Sequence, residues 1–191
     1  VVNRDSKTGL LITAEPKQVG RLAAEFGMTF QSNQNSQSQF NLTVGALSAP
    51  FNASGGELRA LLTIGSEPAL VGSWHQPLTA GGKYFSRVGA GYRQSLYTFG
   101  SIFETPVAQY NRNELFLAAG LGRAFSNWGE AGIFAEVAAG DFEKQIGNPS
   151  YPEFNYQKRN FGVGFLVDTV DSLFLPREGI LLDLRYVEGN E

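Results

Sequence analysis

NELFLAAGLGRAFSNWGEAGIFAEVAAG (residues 113–140) contains two runs of alternating side chains around a four-residue break. In the first run Leu115, Leu117, Ala119 and Leu121 face one way, and Ala118, Gly120 and Gly122 face the other. In the second, Ala131, Ile133, Ala135, Val137 and Ala139 oppose Gly132, Phe134, Glu136 and Gly140. A period of two marks a strand, because successive Cβ atoms leave opposite sides of a pleated backbone. SNWG (126–129) between the runs has the length and chemistry of a tight turn. The stretch therefore reads as an antiparallel hairpin with one continuously apolar face.

The same alternation recurs on both sides. Phe40, Leu42, Val44 and Ala46 alternate with Asn41, Thr43 and Gly45; Leu58, Ala60, Leu62 and Ile64 alternate with Arg59, Leu61, Thr63 and Gly65. Phe161, Val163, Phe165 and Val167 oppose Gly162, Gly164 and Asp168, and Leu182, Leu184 and Tyr186 oppose Asp183 and Arg185. The predicted strands are 21–31, 40–48, 57–66, 69–78, 83–98, 107–125, 129–142, 157–168 and 179–188, eight or nine in all. The sixth is too long to be regular throughout, so it bends or extends past its neighbours. Helical spacing is not needed anywhere, and no apolar run approaches the roughly 18 residues of a spanning helix.

Composition narrows the class. The 191 residues are 42% apolar, yet mean hydropathy is only -0.15, so apolar and polar residues are closely interleaved. The 23 glycines are about 12% of the chain against a usual 7% or so, a strange use of residues in a helical bundle. The absence of cysteine excludes a disulfide framework and a thiolate metal site. A net charge of -3 gives no electrostatic pull towards nucleic acid, so no nucleic-acid partner is expected. The first residues, VVNRDSKTG, lack the apolar core of a signal peptide.

Two all-β architectures fit. A soluble sandwich or small barrel turns its apolar face inward, around a core or a small apolar ligand. An outer-membrane barrel turns it out to lipid and fills its lumen side with Gly, Ser, Asn, Arg and Glu. Segments of ten residues or more, enough to cross a tilted bilayer path, favour the second. So do Phe30, Phe40, Trp74, Tyr84, Phe85, Phe125, Trp128 and Tyr186, which sit near segment ends and are placed to form interfacial girdles. Connections also alternate: 31–39, 95–109 and 143–157 are long or irregular, while 79–82 and 126–129 are short. Residues 49–56 and 65–68 break that asymmetry. Arg59, Arg87, Arg93, Arg123 and Arg185 fall mainly on the non-apolar face, where acidic neighbours such as Glu136 or Asp183 would pair with them.

Chemistry-bearing motifs are scarce. His75, the only histidine, ends a predicted strand with no Ser or Cys partner nearby and reads as a packed or interfacial residue. No G-x-S-x-G nucleophile elbow is present. GAGY (89–92) and GLGR (120–123) lie inside strands, without the helix N-terminus that a phosphate cradle needs. Asp168 and Asp171 have no third ligand at calcium-loop spacing. They read as a polar turn whose carboxylates accept backbone N–H groups, with Pro176 and Gly179 shaping the reversal. No cofactor or metal is implied.

VDTVDSLFLPREGILLDLRY (167–186) resembles the bacterial surface antigen domain of outer-membrane assembly and transport proteins. In that family D-x-x-D followed by F-x-P-x-x-G joins two barrel strands on the periplasmic side; Asp168, Asp171, Phe174, Pro176 and Gly179 match it. GLLITAEPK (9–17), SGGELRALLTIGSEPAL (54–70), HQPLTAGGKYF (75–85) and SNWGE (126–130) are similar to the C-terminal barrels of bacterial patatin-like phospholipases. The resemblance implies that residues 1–20 end a preceding polypeptide-transport-associated (POTRA) domain and that 21–191 form the N-terminal part of a transmembrane barrel in the outer membrane. The patatin Ser–Asp dyad and the family's V-R-G-[FY] loop motif are not in these residues, so no catalytic residue carries over. Family barrels close sixteen strands, which leaves this set of eight or nine to be completed by missing strands or a second copy, or to close into a smaller barrel. The expected function is a non-catalytic anchor and translocation domain in contact with outer-membrane lipid and an attached lipase. The alternatives are the barrel of an assembly or secretion factor and a soluble ligand-binding β-barrel.

Overall fold

A computed structural model describes residues 21–32, 38–99, 107–171 and 177–190 in full, and residues 2–4 and 7–9 by their backbone. β1 (Val2–Arg4) and β2 (Lys7–Gly9) form a small antiparallel ladder with Val2 opposite Gly9. Residues 10–20 of the segment expected to end a preceding domain lie outside the described residues.

The remaining strands form one sheet whose spatial order is the chain order. They are β3 (Leu22–Ser32), β4 (Ser38–Ser48), β5 (Glu57–Gly65), β6 (Ala69–Pro77), β7 (Tyr84–Phe99), β8 (Ala108–Ala124), β9 (Gly129–Ile146), β10 (Phe154–Asp168) and β11 (Leu181–Asn190). All nine predicted strands are present, with boundaries shifted by no more than four residues. Every neighbouring pair is antiparallel, and there is no helix among the described residues. β8 runs unbroken for 17 residues, with one ladder irregularity at Gln109/Tyr110. It belongs to a taller half of the sheet: β7–β10 are 15 to 18 residues long, whereas β3–β6 are 9 to 11. β3 and β11 are the two edges; no ladder joins them, so the sheet is not closed.

Cross-strand register shows what each face carries. One rung joins Phe26, Val44, Leu62, Leu70, Tyr92, Leu115 and Ala139. A second joins Leu58, Trp74, Val88, Ala119, Ala135 and Phe161, and a third joins Tyr84, Arg123, Ala131, Phe165 and Leu184. These side chains share one face, and most of its large apolar members are exposed, Phe26 by 78% and Leu115 by 64%, with Val44 and Phe165 half-buried. Ser86 and Gln76 interrupt it. The buried side chains Phe85, Ala108, Tyr110, Glu114 and Ala138 all lie on the opposite, polar face. The sheet curls around that polar face, since β6 to β11 together line one groove of about 440 Å³. The usual soluble arrangement is inverted.

Two aromatic expectations need correction. Phe85 is not part of an outer girdle: it is buried on the polar face, its ring lying where a Cβ of Gly122 would stand. The position across the ladder from Phe85 must therefore be glycine for the ring to lie flat on β8. Trp74 sits inside the apolar band, between Leu58 and Val88, not at its edge.

The apolar band is inclined to the rungs. Its centre is Phe26 on β3 (Leu22 to Phe30) and Leu184 on β11 (Leu182 to Tyr186). The rung through Phe26 meets β7 at Tyr92, and the rung through Leu184 meets it at Tyr84, eight residues away over eight strand-to-strand steps. One residue of about 3.3 Å per strand spacing of about 4.8 Å inclines the band by roughly 35°. A band level with a flat surface thus requires strands tilted by that angle.

Candidate functional site

The densest chemistry lies on the polar face of the tall half. Arg93 on β7, Glu114 on β8, Gly140 on β9 and Tyr156 on β10 occupy one rung, and Arg112 stands two residues from Glu114 on the same side. Glu114 is 1% exposed, the most buried large side chain described. Arg93 donates from Nε to Glu114 Oε1 at 2.6 Å, and Arg112 donates from Nη2 to Oε2. The Tyr156 hydroxyl donates to Oε2 at 2.6 Å while accepting from Arg112 Nε at 2.6 Å. Arg112 Nη1 donates to the Tyr97 hydroxyl at 3.1 Å. Both carboxylate oxygens are thus engaged.

Gly140 makes this possible. Tyr156 must cross β9 to reach Glu114, and a Cβ at residue 140 would stand 2.9 Å from its hydroxyl oxygen. With no side chain on β9 at that rung, one cluster ties β7, β8 and β10 together. It continues through Glu136, which lies 3.6 Å from Arg93 Nη2 and 3.4 Å from Lys158 Nζ. Above it Tyr97, Tyr110, Phe142, Phe154 and Tyr156 form an aromatic layer with Phe142 at its centre, 4.8 Å from Phe154 and 5.5 Å from Tyr156 between ring centroids. Burying a carboxylate costs several kcal/mol unless charge and hydrogen bonds replace its water. Here two guanidiniums and a phenol do so.

The other polar-face arginines are also paired. Arg59 grips Glu25 at 2.7 to 3.1 Å, Arg87 grips Glu130 at 2.7 and 2.8 Å, and Arg185 binds Asp183 at 2.9 Å. The expected acidic neighbours Glu136 and Asp183 take part. Arg123 departs from expectation: its register puts it on the apolar face, beside the rings of Tyr84 and Phe125. His75 faces the groove side with its ring 5.1 Å from Phe85 and its Nδ1 accepting from Arg87 Nε at 3.4 Å, in keeping with a packed histidine.

In the turn after β10, Asp168 accepts the Val170 N–H at 3.1 Å, and Asp171 accepts those of Arg177 and Glu178 at 3.0 and 3.3 Å. Gly179 has a φ of 107° and packs against the Thr169 carbonyl, a conformation that a side chain would strain. Phe174 and Pro176 lie outside the described residues. No group of three or more metal-binding side chains occurs among the described residues.

Sequence reading missed Glu114, Arg112 and Tyr156. The available signal was R-x-E at 112–114, two charges on one face of a strand, but its partner is 42 residues away and only register brings it in. Comparison with protein-family models, with curated proteins and with solved structures finds no match to this chain.

Proposed function

We propose that this nine-stranded sheet is a wall of an outer-membrane β-barrel: a lipid-embedded anchor and translocation domain for an attached patatin-like phospholipase, itself non-catalytic. The carrying observation is the inverted sheet, with its large apolar side chains exposed on one face and its buried and ion-paired groups on the other. An apolar face this extensive does not stay in water; monomeric soluble proteins rarely expose patches beyond a few hundred Å². On β7 the band runs from Tyr84 to Tyr92, nine residues, which matches the roughly 9 to 11 that cross a bilayer at a tilt. The inclination of about 35° agrees with the tilt of such barrels, about 35–45°. A soluble ligand-binding barrel would curl its apolar face inward, the opposite of this sheet.

The patatin-linked form of the proposal rests on the resemblance of residues 9–17, 54–70, 75–85, 126–130 and 167–186. Open edges in lipid would leave unpaired N–H and C=O groups costing several kcal/mol each, so β3 and β11 need further strands. Both edges run in the same direction, so an all-antiparallel closure takes an odd number of additional strands. Seven, the number that a sixteen-stranded family barrel requires, satisfies this. Two such sheets inserted the same way up would instead meet through parallel edges.

Detergent dependence tests the proposal. Purified chain is expected to be monodisperse in micelles and to aggregate when detergent is withdrawn without lipid. A monomer that stays soluble in plain buffer would overturn the reading.

A further inference from the structure

Among the described cations without a carboxylate, which include Arg21, Arg159 and Arg177, two stand together beside aromatic rings and mark a second site. Arg59, Arg87, Arg93, Arg112 and Arg185 are on the polar face and each has a carboxylate. Arg123, on the apolar face, has none among the described residues. Its guanidinium carbon lies 5.9 Å from the centre of the Tyr84 ring and 5.3 Å from that of Phe125. Lys83, also without a carboxylate among the described residues, places its Nζ 5.9 Å from the same Tyr84 ring. Trp128 stacks on Phe125 at 5.1 Å. Two exposed cations and three aromatic rings thus gather at one place, where the apolar band meets the short connections 78–83 and 125–128.

We propose that Lys83 and Arg123 bind the phosphate of an anionic phospholipid at this rim, with Tyr84, Phe125 and Trp128 against the glycerol and upper acyl chain. The inference rests on the lipid-facing assignment of the apolar face. Arg123 is a long side chain rooted in an apolar band, the situation in which the stem stays in the hydrocarbon and the head reaches the interface. An exposed arginine there without a carboxylate is open to an anion from outside the protein, and the adjoining medium offers phosphate. Lys83 brings a second charge to the same ring, enough to favour a headgroup with net negative charge over a zwitterion. Cations near an anionic surface each strengthen attachment by about fivefold.

The chain has two tryptophans, so Trp74→Phe leaves Trp128 as the sole reporter. This protein is placed in phosphatidylcholine vesicles doped with phosphatidylglycerol brominated high on its acyl chains, and quenching is compared with that by equally brominated phosphatidylcholine. The expected result is a preference for phosphatidylglycerol of about fivefold to twenty-fivefold, one such factor for each cation engaged, falling to about one in Lys83→Gln/Arg123→Gln and surviving in Arg123→Lys. Equal quenching by both lipids, or a preference untouched by the double substitution, would overturn the proposal. Loss of the preference on adding millimolar inorganic phosphate would assign the site to a soluble anion and also overturn it. If neither brominated lipid quenches Trp128, the lipid-facing assignment itself fails, a separate outcome from equal quenching.

Discussion

Glu114→Ala is expected to lower the unfolding free energy by about 3–5 kcal/mol, the usual penalty for breaking a buried charge pair. The substitution removes the one anion between Arg93 and Arg112 and takes the acceptor from the Tyr156 hydroxyl. Two guanidiniums on adjacent rungs of the same face are then left with only Glu136 at hand, 3.6 Å from Arg93. Arg112 is the worse placed, half-buried between β7 and β10 against the rings of Tyr156 and Phe142, 4.9 and 5.9 Å from its guanidinium carbon. Glu114→Gln should be milder, because one amide oxygen still accepts a bond. Replacing all three charges together, as Arg93→Met/Arg112→Met/Glu114→Leu, should recover much of the loss, since no uncompensated charge remains. The check is the midpoint of urea unfolding of the chain in micelles, followed by strand signal. An unchanged midpoint in Glu114→Ala would mean that both guanidiniums reach water and that the cluster does not hold β7, β8 and β10 together.

The second large effect separates the two faces at adjacent positions. Ala119 lies on the apolar face between Val88 and Ala135, and Ala118 lies on the polar face between Gly89 and Glu136. Ala119→Arg puts a charge near the middle of the band, where lipid-facing arginine costs about 2–4 kcal/mol in a barrel. Ala118→Arg points into the groove beside Glu136 and should cost clearly less. In water the order would reverse, because Ala119 is the more exposed of the pair and would tolerate a surface arginine. Unfolding and refolding in lipid vesicles gives the comparison. Equal effects, or a greater loss from Ala118→Arg, would speak against lipid on the Ala119 side.

The sheet was legible because its cause is local. Alternation in 113–124 and 129–140 requires no knowledge of partners, and the short turn between these two runs imposes their antiparallel order. The glycine excess became legible only through register. Gly122 lies beneath the Phe85 ring and Gly140 beneath the Tyr156 hydroxyl, each in a neighbouring strand, so nothing in their own segments announces why a side chain is excluded. The same reason hid Glu114: its strand looked like one more alternating run, and burial depended on β7 and β10 arriving at the same rung. Phe85 was misplaced because its parity with Arg87 and Arg93 puts it on the polar face wherever it falls along the strand, and Trp74 for a different reason. Aromatic residues near the ends of predicted strands look interfacial, but the inclined band moves each strand's midpoint by one residue, and a strand end is not then a band edge. Arg123 followed from the same geometry: its parity with Leu121 was plain in the sequence, and the charge was read as a sign of the other face.

Depth in the bilayer tests the lipid-facing assignment most directly. With Trp128→Phe, the sole tryptophan is Trp74, inside the band between Leu58 and Val88; with Trp74→Phe, it is Trp128, at the short-turn rim. Each protein is placed in vesicles of phosphatidylcholine brominated at successive positions along the acyl chain. The expected result is that Trp74 is quenched most strongly by bromines far down the chain, and Trp128 by those nearest the headgroup. Trp74 emission insensitive to bromine at every depth would contradict a membrane-embedded sheet.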